Sequence, residues 1–371
     1  MERSCSNFWR SRRLIHFKKM AHVSTLSLTH FVKALFVSLG ASDEDAQITA
    51  DSLISADLQG IPSHGVMLLP MYTERILSGS VSVTATPTIM EDHGGLVVMC
   101  ADNGLGQVSS AHAARICIER AKLHGIACVT VRDAFHFGTA GYWARQFSEV
   151  GMIGMAFSNT RPLMPAPGGA QRVVGNNPLA IAFPSATHEP LFIDMATSAT
   201  AMGKIRLADS KGSPIPLGWA TDSDGKPTTS AADAINGMLL PAAGPKGFGL
   251  AVAIDLLCGA LSSGGLGSSV QPLYNNSQTP YNCAHTFIAI DANKTGNGSG
   301  IGNIVDGFKN QIRDSKKSTE CDRIYAPGDL ERLHEERMGS TCQLPDNVIA
   351  QLTTLSKSRD LGLELEIIST R

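Results

Sequence analysis

The sequence predicts an α/β fold: a helical unit over residues 21–80, a mixed α/β region over 81–290, and a stretch of loop and helix over 291–371 that packs back on the first unit. Three observations point to it. Apolar residues recur at helical spacing up to Gly79, short apolar runs bounded by Gly, Asp or Pro take over from Leu96, and helical patterns lie between several of those runs. A chain of 371 residues is also long enough for two or three packed units.

In order, residues 1–20 carry Arg3, Arg10, Arg12, Arg13, Lys18 and Lys19 against Glu2, a net +5 that leaves −7 for the rest of a chain whose formal charge is −2. This basic, acid-poor opening has no apolar h-region and is expected to lie outside the fold. Met20–Ala21 reads as the natural beginning, and a mitochondrial-type transit peptide is the alternative. Ser27 is the expected cap of a first helix carrying Phe31, Leu35, Phe36 and Leu39 and ending at Gly40. Ser42 with Asp45 forms a capping-box pattern for a second, with Ala46, Ile48, Ala50, Leu53, Ile54 and Leu58 before Gly60. A third runs from Ser63–His64 to Gly79. Strands are expected at Leu96–Ala101, Ile126–Val131, Met152–Phe157, Leu179–Phe183, Leu191–Ile193 and Phe287–Ile290. Helices are expected at Ser109–His124, Thr139–Val150, Ala196–Ala208 and Phe248–Leu261. Residues 263–283 and 291–303 read as loops, and Pro345–Leu361 as a last helix with Val348, Ile349, Leu352 and Leu355 on one face.

Composition excludes several classes. Hydrophobic residues at 43% and a small net charge argue against disorder, and the chain is not basic enough for a general nucleic-acid surface. No run approaches the ~18 apolar residues of a membrane span. The eight cysteines show no C-x-x-C spacing, and Cys100, Cys128 and Cys258 sit in apolar runs. A reducing, cytoplasmic setting follows, without a disulfide framework. None of the eleven histidines pairs at i, i+3 or i, i+4, so no metal site is expected. There is no Walker A, G-x-S-x-G or H-E-x-x-H motif.

Four polar clusters interrupt the apolar text: Pro62-Ser63-His64-Gly65, Phe135-His136-Phe137-Gly138, Gly175-Asn176-Asn177-Pro178 and Ile193-Asp194-Met195-Ala196-Thr197-Ser198. Strand-to-helix junctions are where α/β proteins place ligand groups. Each also has a plain structural reading: Ser63 as a helix cap, His136 as a core histidine, Asn176-Asn177-Pro178 as a turn, and Asp194 as the cap of the helix after it. Gly104-Leu105-Gly106 resembles a dinucleotide fingerprint but lacks its third glycine. Asp133, 29 residues after Gly104, comes late for a ribose-binding acid, so a Rossmann site is not expected there.

Taken together, the clusters resemble the type-2 malate/L-lactate dehydrogenase family, which includes sulfolactate and ureidoglycolate dehydrogenases. The matching text is Asp57-Leu58-Gln59-Gly60-Ile61-Pro62-Ser63-His64-Gly65-Val66, Asp102-Asn103-Gly104-Leu105-Gly106, His136-Phe137-Gly138-Thr139-Ala140-Gly141-Tyr142 and Phe157-Ser158-Asn159-Thr160. Pro167-Gly168-Gly169, Gly175-Asn176-Asn177-Pro178, Asp194-Met195-Ala196-Thr197-Ser198 and Pro245-Lys246-Gly247-Phe248-Gly249 complete it. The resemblance implies a non-Rossmann, mixed-sheet domain binding NAD or NADP, a helical domain built from the chain ends, and a homodimer. The implied reaction is hydride transfer between a 2-hydroxy acid and a nicotinamide ring. His64 is then the acid/base, with a near-neutral pKa, in a relay with Ser63 and Asp194. It further implies that His136, Phe137, Gly138, Thr139, Ala140, Asn176, Asn177, Pro178, Lys246, Gly247, Arg323 and Gly328 hold the cofactor, and that Thr160 and Arg161 face the substrate.

One departure stands out. Many members carry an Arg four residues after the S-H-G histidine to fork onto the substrate carboxylate, and here that residue is Leu68. Either another cation, Arg161 or Arg75, takes over, or the substrate differs, as for a cyclic-imino-acid or keto-sugar-acid reductase, or the protein binds nucleotide without catalysis.

Overall fold

The computed structural model describes residues 20–296 and 300–368. The basic extension therefore lies, apart from Met20, outside the described residues. Chain order begins β1 (Met20–Ser24), α1 (Thr25–Ser38), α2 (Asp43–Leu58), α3 (Leu69–Leu77), β2 (Thr88–Asp92), β3 (Leu96–Cys100), α4 (Gly106–His124), β4 (Ile126–Ala134) and α5 (Ala140–Glu149). It continues with β5 (Met152–Ser158), β6 (Met164–Pro165), β7 (Arg172–Val174), β8 (Leu179–Phe183), β9 (Leu191–Met195), α6 (Met202–Ser210), β10 (Ala220–Thr221), β11 (Pro227–Thr228), α7 (Ala231–Asn236) and β12 (Met238–Leu239). α8 (Pro245–Asp255), β13 (Cys283–Asp291), α9 (Ile301–Arg313), α10 (Asp329–Met338), β14 (Thr341–Pro345), α11 (Asp346–Ser358) and β15 (Ile367–Ile368) follow.

The central sheet has seven strands in the order β2-β3-β4-β13-β5-β8-β9. Only β3 and β4 run parallel, joined across α4; every other pair is antiparallel. β13 is central because its run from Cys283 to Phe287 is buried on both faces, with Thr286 opposite Thr130 on β4 and Phe157 on β5. A mixed sheet with one parallel crossover differs from a doubly wound Rossmann sheet. The resemblance of Gly104-Leu105-Gly106 to a fingerprint comes from packing: a Cβ on Gly106 would overlap the carbonyls of Phe135 and His136, so α4 needs a glycine where that turn crosses it.

The helical unit is built from both chain ends, as expected, but it is not all helical. β1 pairs with β14 (Val23 opposite Cys342) and with β15, α10 rests on α2, and α11 rests on α3. One apolar core runs through this unit and the sheet, from Val23, Leu28 and Phe36 through Val97, Trp143 and Phe287 to Leu344 and Leu352.

Local differences have local causes. The first helix is capped by Ser24, whose hydroxyl accepts from Ser27 N–H; the hydroxyl of Ser27 instead accepts from Glu366 N–H at 3.0 Å. Ser42 caps α2 as its pattern predicts, with Asp45 N–H 3.1 Å from its hydroxyl. The third helix is delayed: Pro62–His64 and Val66–Leu68 form 3₁₀ turns, and α3 starts only at Leu69, because Gly65 is extended (φ −99°, ψ −154°) between them. Residues 197–199 are tied to Asn176, Leu240 and Pro241, so the helix expected from Ala196 begins at Met202. α9 and α10 occupy text that carried no helix expectation.

Candidate active site

The delayed start of α3 presents Ser63 and His64 on a tight turn. Beneath them the carboxylate of Asp57, in the last turn of α2, accepts from Val66 N–H at 2.8 Å and packs against Gly65, where any Cβ would overlap it. Ser63 Oγ lies 3.0 Å from His64 Nδ1. Desolvation lowers the His64 pKa to about 4. This lies below the near-neutral value expected from the sequence, because burial penalises the charged form of the ring.

The ring of His136 lies 5.3 Å from that of His64, centroid to centroid. Its Nδ1 is 2.8 Å from the hydroxyl of buried Tyr72, which in turn accepts from Gln107 Nε2 at 2.9 Å. The amide of Gly138 donates to the same Nδ1 at 3.4 Å. An N–H aimed at Nδ1 makes that nitrogen the acceptor, so Nε2 carries the ring proton. Burial, then the neighbouring His64, holds His136 well below its ordinary pKa. Phe137 stacks on Trp143, whose Nε1 donates to the Phe137 carbonyl at 2.9 Å.

The turn continues through Thr139 into α5. There Asp194, near the end of β9, accepts from Gly141 N–H at 2.9 Å, and a Cβ on Gly141 would come within 2.7 Å of its Oδ2. Asp194 therefore serves the first turn of α5, not the helix after its own strand. Further along, Thr197 N–H donates to Asn176 O and Ala242 N–H to Thr197 O. This links the Asn176–Pro178 turn to the loop entering α8, where Lys246 is exposed and Gly247 buried. Asn177 is consumed by structure, accepting from Thr160 N–H (2.9 Å) and donating to Ala251 O (2.9 Å), while Asn176 Oδ1 accepts from the Thr160 hydroxyl at 3.1 Å. Pro178 O accepts from Ser158 N–H. On the other side of β9, Gly328 (φ +92°) packs on Phe192, and Arg323 lies over Tyr325. Asp329, paired with Arg313 at 2.5 Å, fixes that turn through Ala326 N–H.

Leu68 is only 1% exposed and belongs to the main core, so that position offers the site no polar group. Arg75, one of two cations named to replace it, is excluded. It too is 1% exposed, and its guanidinium donates to the carbonyls of Pro272, Leu273 and Thr279. Arg161 is half-buried and makes no ion pair or side-chain hydrogen bond among the described residues. Its pKa is lowered by burial and then by Arg172, whereas Tyr281 raises it. Sequence reasoning missed Asp57, Tyr72, Gln107 and His285. Two of these left a trace: Asp57 lies in phase with Ala46, Ala50 and Leu53 on the apolar stripe of α2, and His285 alternates with Cys283, Phe287 and Ala289 on β13.

Residues 23–353 match the family model described as malate/L-lactate dehydrogenase. A malate dehydrogenase of Pyrococcus abyssi is 37% identical over 310 residues, 81% of this chain and 84% of that protein. A (2R)-3-sulfolactate dehydrogenase (NADP(+)) of Chromohalobacter salexigens is 31% identical over 327 residues, covering 88% of this chain and 95% of its own. The solved sulfolactate dehydrogenase of Methanocaldococcus jannaschii superposes with a TM-score of 0.87 at 33% identity, over 92% of this chain and 98% of that one. The chain thus belongs to the malate/L-lactate dehydrogenase family, and it is a hydroxy-acid dehydrogenase, an oxidoreductase acting on CH–OH donors.

Proposed function

We propose that the chain transfers hydride between a 2-hydroxy acid of malate or lactate type and NAD or NADP, with His64 as the acid/base. The observation that carries this reading is the pair of imidazoles 5.3 Å apart, each with its Nδ1 held by a hydroxyl and its Nε2 without a partner among the described residues. In oxidation, the substrate O–H proton passes to the free Nε2 of His64 while the hydride leaves C2. A bound nicotinamide dinucleotide supplies the ring that takes that hydride. His64 is neutral around pH 7 and ready to accept. Ser63 orients it through Nδ1, and the family resemblance, rather than a contact with His64, assigns Asp194 to the relay; its carboxylate accepts from the Gly141 amide.

The residues fit such a cofactor. Thr139 and Thr197, on either side of the Asp194–Gly141 contact, each bury a hydroxyl that has no partner among the described residues, as a bound ligand would satisfy. His136, Phe137, Gly138 and Ala140 line its nicotinamide end, while Asn176, Pro178, Lys246, Gly247, Arg323 and Gly328 hold the remainder, with Asn177 fixing the Asn176 turn. Thr160 and Arg161 face the substrate, and Arg161 supplies the cation absent at Leu68. An apolar face formed by Ala253, Leu256, Leu257, Ala260 and Leu261 suits a homodimer. The seven free thiols among the described residues suit the cytoplasm.

The test is turnover of NADH and NADPH with pyruvate, oxaloacetate and other 2-keto acids. His64→Ala is expected to lower kcat by about a hundredfold or more; turnover untouched by that change would sink the role given to His64. In the oxidative direction kcat/KM is expected to stay flat around neutrality and fall only as pH approaches about 4, where His64 becomes protonated. A second reading, in which His136 gives its Nε2 proton to the substrate oxygen in reduction, is favoured by its Tyr72–Gln107 anchor. His136→Ala then abolishes turnover while His64→Ala retains it. Leu68 favours a third, reduction of a cyclic imino acid or a keto-sugar acid, which the same assay with those substrates separates.

A further inference from the structure

We propose that His285 is a positioning residue for hydride transfer, a strut that fixes the separation between the turn carrying Thr160 and the turn carrying His136. It is 0% exposed on β13 and touches both turns. Its Nε2 lies 3.0 Å from Phe135 O, and a carbonyl can only accept, so Nε2 holds the ring proton and donates. Nδ1 is then an acceptor, and it lies 2.9 Å from Ser158 Oγ. The ring lies flat on Phe137, 4.3 Å away at 6°. One imidazole therefore holds the residue before His136 and the residue after it, and from its other edge the residue two places before Thr160.

Both turns are firm elsewhere. Asn159 is clamped by Asp255, Gly265 and Ala284, and His136 by Tyr72. A rigid link between two firm pieces transmits geometry, and near-attack distances are sensitive to it. Burial keeps His285 neutral, lowering its pKa to about 4. The donor–acceptor polarity of the strut is thus fixed around neutral pH. Asparagine at 285 reaches only the Ser158 side, glutamine only the Phe135 side, and phenylalanine keeps the stacking without either bond.

The inference rests on the preceding reading, in which Thr160 and His136 face the reactants, and the experiment separates the two. In the full chain, Ser158→Ala and His285→Phe are each expected to lower kcat about tenfold with the dinucleotide KM little changed. Ser158→Ala should cost nothing more in the His285→Phe background, because both changes cut the same strut. His285→Gln and His285→Asn, each keeping only one of the two bonds, should each lose kcat much as Ser158→Ala does. Imidazole ¹⁵N shifts of His136 provide a readout independent of turnover. They are expected to move in both Ser158→Ala and His285→Phe, and they decide the matter alone if no substrate is turned over. Unmoved His136 signals overturn the strut. So does kcat that stays within about twofold, or additive losses that follow the melting temperature.

Discussion

Asp57 is a buried carboxylate with no ion pair among the described residues, held by the Val66 amide and pressed against Gly65. Burial raises its pKa from 3.8 to about 7, against the smaller opposing effect of the Val66 hydrogen bond. Below the lower value the carboxyl is neutral folded or unfolded, and above the higher one it is ionised in both. Between them only the folded chain keeps the proton, so stability falls as pH rises through that window, by at most about 1.4 kcal/mol per pH unit. Asp57→Asn removes this loss. Urea unfolding at pH 5 and pH 8 should show the variant gaining on the parent at the higher pH, and an unchanged difference would contradict the burial argument. Gly65→Ala should do harm by the same contact: the new methyl displaces the carboxylate or the turn, and kcat falls together with melting temperature.

At the scale of elements, α3 is a clamp as well as a packing helix. Arg75 reaches from it to three carbonyls of the 272–279 loop. Arg75→Met removes the donors and leaves the acceptors. A loss of about 3 kcal/mol is expected, with faster amide exchange confined to that loop; uniform exchange across the molecule would refute the clamp. Much of the element order was legible in the sequence. Leu96–Cys100, Met152–Ser158 and Leu179–Phe183 announce themselves as apolar runs, and Ser42 announces α2. What stayed hidden depends on partners far away in the chain. β1 is five residues with only Val23 fully buried, and its strand state comes from Thr341–Pro345; β2 is exposed along its whole length, so neither shows an alternating buried face to read. In the site, Ser63 and His64 are adjacent and were readable as a motif. Tyr72, Gln107 and His285 converge on the His136 turn from α3, α4 and β13, and no local spacing reports that.

Over the whole molecule, two sets of charges pull against each other as pH changes. Asp306 and Asp329 carry lowered pKa values through Ser185, Lys309 and Arg313, so their support is lost on acidification, whereas Asp57 gains from it. The exposed face of Ala253, Leu256, Leu257, Ala260 and Leu261 sets the expected assembly. Leu256→Glu should convert a dimer to a monomer by light scattering, and a dimer mass retained by the variant would place the interface elsewhere. The small sheet that ties the chain ends has a consequence in time. His334 donates to the carbonyl of Leu58 at 2.7 Å across 276 residues, and β14 pairs with β1 just behind it. The floor under the Ser63–His64 turn is thus closed by segments made some 276 residues after Leu58. During translation α1 and α2 are made before β14 and wait, their apolar faces uncovered, until it arrives. The Ser63–His64 turn gains this support only once His334 and β14 have been made, and a chain halted before His334 leaves His64 without it.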